Sequence, residues 1–134
     1  MKEIKVVSKV IVEVVGKPKE HVDKVINEIV KNVEAKDDIK LLTSKIFEPA
    51  SVENDLFSGF CELEIETPNL RRLMEFSFDF MPSSIEILEP KEVLFDTVDI
   101  QDLMNDLLAR LHQYATVIKT LHSQNAMYKK KLDG

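Results

Sequence analysis

The sequence has one cysteine, no long apolar run and no excess of positive charge, and each shortage removes a class of function. A lone thiol, Cys61, cannot close an internal disulfide. Set among alternating apolar residues, it fits a reducing compartment, so the chain is expected in the cytoplasm. From Met1 to Val15, charged Lys2, Glu3, Lys5, Lys9 and Glu13 interrupt the apolar residues, and nothing later is longer, so neither a signal peptide nor a membrane span is expected. The formal net charge of -6 argues against a nucleic-acid backbone or an anionic membrane as the main partner, because both reward clustered positive charge. No catalytic, metal-binding or phosphate-binding motif is present. What remains is a 134-residue chain, 44% hydrophobic and 31% charged, of a size for one small domain plus an extension.

The first ninety or so residues alternate between two periodicities. Val6, Ser8, Val10, Val12 and Val14 share one face of a strand running from Ile4 to Val15, and Val7, Lys9, Ile11, Glu13 and Val15 share the other. Gly16 and Pro18 break it. Val22, Val25, Ile26, Ile29, Val30 and Val33 then recur at the spacing of one helical face. A second strand is expected from Ile39 to Phe47, followed by a polar loop through Pro49, Ser51, Glu53, Asn54 and Asp55. The third strand, Leu56 to Glu66, alternates Phe57, Gly59, Cys61, Leu63 and Ile65 with Ser58, Phe60, Glu62, Glu64 and Glu66, so one face is buried and the other partly wet. Thr67 and Pro68 read as the cap and first residue of a second helix ending near Phe80. After Pro82, Ile85 and Ile87 alternate with Ser84, Glu86 and Leu88 in a fourth strand that Pro90 ends.

The expected class is therefore α+β, with the order βαββαβ followed by a long helix. Over about residues 4 to 90 this order resembles the ferredoxin-like superfold, including its ACT-type regulatory branch. The resemblance implies two helices covering one face of a four-stranded antiparallel sheet, and no particular function. The run Met74-Glu75-Phe76-Ser77-Phe78-Asp79-Phe80-Met81-Pro82-Ser83-Ser84-Ile85-Glu86-Ile87-Leu88-Glu89-Pro90, with the long helix after it, also resembles small uncharacterised archaeal proteins, and this likeness brings no activity with it. Two domains follow: residues 1–92 as the ferredoxin-like unit and residues 93–134 as the C-terminal amphipathic helix.

That helix is the sharpest signal in the chain. After a link through Val93 and Phe95, Asp96 or Asp99 can cap it, and it meets neither proline nor glycine before Gly134. Ile100, Met104, Leu107, Leu111, Tyr114, Ile118, Leu121, Asn125, Tyr128 and Leu132 fall at alternating steps of four and three, the period of a coiled coil. In heptad register, Met104, Leu111, Ile118, Asn125 and Leu132 occupy a, and Ile100, Leu107, Tyr114, Leu121 and Tyr128 occupy d. An asparagine at a specifies register and favours parallel pairs, because two asparagines satisfy each other. Leu103, Leu108, Ala115 and Val117, at e and g, widen the stripe in its first half. That half must touch something more, either by folding back on the domain's open sheet face near Val7, Ile11, Phe60 and Leu88 or by entering a bundle of three or four helices. The bland alternative, a helix packed within one monomer, asks a small domain to shield the helix to its end.

Other features favour structure over chemistry. Phe57-Ser58-Gly59-Phe60 has the aromatic spacing of an RNA-binding strand, but Glu62 and Glu64 share the face with Phe60 and would repel phosphates. No lysine or arginine occurs from Glu48 to Glu66. Glu48, Glu53, Asp55, Glu62, Glu64 and Glu66 match no calcium loop and read as a solvated face. His21, His112 and His122 lack the spacing and the cysteine or carboxylate framework of a zinc site. Ser58 lacks the flanking glycines of a nucleophile elbow, and Cys61 reads as an inert core thiol. Phe76, Phe78, Phe80 and Met81 read as core packing rather than a ligand pocket. The expected function is a non-enzymatic homo-oligomeric scaffold or protein-interaction module, a homodimer or small bundle, using no cofactor and binding neither nucleic acid nor membrane. The alternative is an ACT-like sensor holding a small metabolite between domains.

Overall fold

A computed structural model describes residues 4–133, which divide into two compact units between Val93 and Leu94. In the first unit, β1 (Val6–Gly16), β2 (Lys40–Ile46), β3 (Ala50–Ser51), β4 (Phe57–Thr67) and β5 (Ser84–Glu89) form one antiparallel sheet in the order β2-β4-β1-β5, with β3 paired to β4. Helices α1 (Lys19–Glu34) and α2 (Leu70–Phe80) connect β1 to β2 and β4 to β5. The second unit carries α3 (Thr97–Asp133).

The core follows from alternation on the two central strands. β1 and β4 pair along their whole lengths, from Val6 opposite Thr67 to Gly16 opposite Phe57. Val6, Ser8, Val10 and Val12 therefore meet Thr67, Ile65, Leu63 and Cys61 on one face. Onto that face α1 sets Val22, Ile26, Val30 and Val33, and α2 sets Leu73 and Phe76, all buried. Both helices thus serve one apolar layer, and the opposite face carries Lys9, Ile11, Glu13, Phe60, Glu62 and Glu64.

Gly59 sets how closely α1 can approach. A β-carbon added there would lie 2.8 Å from Val22 Cγ1 and 3.2 Å from Ile26 Cγ1, and a β-branched valine on a helix has little freedom to turn away. Gly59→Ala should cost about 1–3 kcal/mol through overpacking, read as a lower urea midpoint at constant slope. Unchanged stability would mean that α1 rides higher above the sheet.

Two sequence expectations are corrected. The loop after β2 holds a short strand, β3, and a 3-10 turn, Glu53–Asp55, so the sheet has five strands rather than four. Asn54 and Asp55 adopt φ 61°, a left-handed conformation that asparagine and aspartate tolerate better than other side chains. Helix α2 starts at Leu70, and its cap is Asn69, whose side-chain oxygen accepts from Arg72 N at 2.8 Å. Thr67 is instead the last residue of β4, buried, with its hydroxyl donating to Val6 O at 3.4 Å. Arg72 also donates to Asp38 at 2.6 Å, tying the first turn of α2 to the entry of β2, and this guanidinium holds the Asp38 carboxyl below its usual range.

Candidate functional site

Helix α3 begins where Ile100 N donates to Asp96 O at 3.1 Å, with Asp99 in its first turn and Lys130 and Lys131 in its last. Both ends suit the helix dipole. At 37 residues it is about 55 Å long. On its outward face Thr116 donates to His112 O at 2.9 Å and Thr120 to Thr116 O at 3.0 Å, so these hydroxyls are satisfied within the helix and need no partner.

The heptad stripe is a different surface. Its nine apolar members, Ile100, Met104, Leu107, Leu111, Tyr114, Ile118, Leu121, Tyr128 and Leu132, are from 39% to 87% exposed in the single chain, and Asn125 is exposed with them. Leu108, Val117 and Met127 are at least half exposed as well. Leu103, at a g position, is the one buried side chain of the helix among the described residues. A stripe this long and apolar, left open to water over more than four heptads, is a surface that a packing partner would cover.

The first unit offers a smaller feature on the sheet face opposite α1 and α2. Ile11, Phe47, Phe60 and Glu62 line a shallow depression of about 230 Å³, mainly apolar. Phe60 and Leu88 are more than a third exposed, and Val7 and Ile11 less so. Phe47 was not among the sequence-derived members of this face. It joins because its N–H donates to Phe60 O at 3.0 Å, carrying the ladder one step past β2. The alternation Thr43, Lys45, Phe47 is the signal that points to it, and Lys45 Nζ sits 4.8 Å from the Phe47 ring centre.

Charge on this face is paired rather than gathered. Lys9 bonds Glu62 at 2.8 Å, Lys5 lies 4.0 Å from Glu66, and Ser58 donates to Glu13 at 2.9 Å. The Glu62 carboxylate raises the Lys9 pKa, first through that hydrogen bond and then through its charge. Among the described residues no group of three or more histidine, cysteine, aspartate or glutamate side chains is arranged to hold a metal ion, and no helix is long and apolar enough to cross a membrane.

Cys61 is fully buried opposite Val12 and Ile46, and desolvation pushes its thiol above the ordinary value. The thiolate is the reactive species, so labelling by a thiol reagent at neutral pH should be slow in the native protein and fast after denaturation. Rapid native labelling would contradict the facing of β4. Phe76, Phe78, Phe80 and Met81 divide: Phe76 is fully buried and stacks on Phe80 at 4.6 Å, Phe78 is partly buried, and Met81 is 66% exposed beyond the helix end.

The chain belongs to the MJ0538 family, whose family model matches residues 8–133 and so spans both units. No curated protein and no solved structure matches it.

Proposed function

We propose that this protein is a non-enzymatic homo-oligomeric scaffold, in which α3 holds copies in pairs or small bundles and the α+β unit is presented to a protein partner. The observation that carries the reading is the uninterrupted exposure of the stripe from Ile100 to Leu132. In proteins a helix draws most of its stability from packing an apolar face, so a helix with so little buried surface of its own gains by association. The family match across both units supports treating the helix as part of the design rather than an appendage. The α+β unit is read as ferredoxin-like, supported by the antiparallel order β2-β4-β1-β5 and by both helices packing into one apolar cluster. A single buried thiol supports a cytoplasmic setting.

The test is thermal unfolding at several protein concentrations and against a panel of amino acids and other small metabolites. Association raises the melting temperature with protein concentration, whereas the ACT-like sensor would be stabilised by one of the metabolites. The scaffold reading expects the first effect without the second. A melting temperature independent of concentration, rising with a metabolite, would overturn it.

A further inference from the structure

Resting on the reading of α3 as a self-association helix, we propose that its occupant is α3 of a second copy, lying parallel and in register, with Asn125 facing Asn125. Size is the first argument. A seam about 50 Å long and ~10 Å wide covers on the order of 500 Å² on each helix. The two helices together then reach the ~1,000 Å² that separates a specific interface from a casual contact.

Orientation follows from how the stripe's width changes along the helix. In the first half, e and g hold apolar Leu108, Ala115 and Val117 beside Gln101 and Arg110, with Leu103 already buried in the single chain; in the second half they hold His122, Gln124, Lys129 and Lys131. A parallel in-register pair sets g against the next e of the other copy. Arg110 then meets Ala115, Val117 meets His122, and Gln124 meets Lys129, while Leu103 is already buried in the single chain and Leu108 flanks the seam beside it. Wide half lies against wide half, and no two like charges oppose each other.

The antiparallel pair with full overlap behaves differently. It opposes Leu108 to His122 and Leu107 to Asn125. Each match removes an apolar side chain from its like or leaves a polar group without a partner in the seam. The attraction of opposite dipoles and of the acidic end for the basic end favours antiparallel pairing. Asp102 and Asp106, however, sit exposed at the outward f and c positions, where solvent screens them, and they do not offset the mismatches at Leu107 and Leu108.

The experiment places a nitroxide label on the full chain by Lys131→Cys in a Cys61→Ala background, with Asp106→Cys as a second site, and measures spin–spin distances and the mass by light scattering on the same samples. A parallel pair gives distances of roughly 20–30 Å at both sites, since paired helix axes lie about 10 Å apart and the label arms add to that. The overlapped antiparallel pair places the Lys131 labels about 45 Å apart along the axis, thirty residues of rise. Short distances at both sites with a dimeric mass support the proposal. A long Lys131 distance with a dimeric mass overturns the orientation and leaves self-association standing. A monomeric mass without spin–spin coupling overturns both.

Discussion

Replacing Leu111 and Leu121 together with glutamate should bring the mass in solution down to the 15.4 kDa of one chain. The two positions are an a and a d near the middle of the stripe, 52% and 53% exposed in the single chain, so carboxylates there cost the monomer little. In an assembled seam the same substitutions place at least four carboxylates among apolar side chains, and unpaired buried charge costs several kcal/mol for each group. Far-UV circular dichroism should fall as well, because a helix with no packed face frays. The spectrum should otherwise keep the signal of the sheet and of α1 and α2. An assembly of unchanged mass would mean that contacts other than the stripe hold the copies together.

Phe76→Ala should produce the largest loss of stability available from a single apolar truncation in the α+β unit. Phe76 heads the largest fully buried side chains, and its ring lies 4.6 Å from that of Phe80 at an interplanar angle of 27°. Phenylalanine-to-alanine truncation in a core costs about 3–5 kcal/mol, through lost transfer energy and the cavity left behind. Against the roughly 5–15 kcal/mol that holds a typical domain together, that is at least about a fifth of the total. The measurement is urea unfolding followed by circular dichroism, with a lower midpoint and an unchanged slope. A loss under about 1 kcal/mol would show that the end of α2 repacks freely.

The sequence made the core legible wherever a period ran long enough to be counted. Val6, Ser8, Val10 and Val12 on β1, and Cys61, Leu63 and Ile65 on β4, lie on the buried face that their alternation assigned. Val22, Ile26, Val30 and Val33 do the same for α1. Two-residue β3 is too short to show any period, so Ala50 and Ser51 read as loop. Thr67 has the chemistry of a helix cap, but its backbone is claimed by the ladder opposite Val6, and the cap passes to Asn69. Local propensity lost there to a long-range pairing that no window of sequence contains. Phe47 was missed on the open face for a related reason, since only its bond to Phe60 places it there. Ser8 is a different kind of surprise. Its hydroxyl is buried with no hydrogen-bond partner, between strand neighbours Ile65 and Ile87, and alternation predicts the burial but not the missing partner. Replacing it with alanine should therefore be neutral or stabilising by up to about 1 kcal/mol in the same urea experiment, and a clear loss would mean that the hydroxyl is satisfied. On α3 the ten stripe positions were legible from spacing alone, and the structure adds that they stand exposed on a continuous helix.

Light scattering on the full chain at tens of micromolar tests the central claim most directly. Self-association through α3 gives a mass of twice 15.4 kDa or a higher whole multiple, and a mass of 15.4 kDa at that concentration would contradict it.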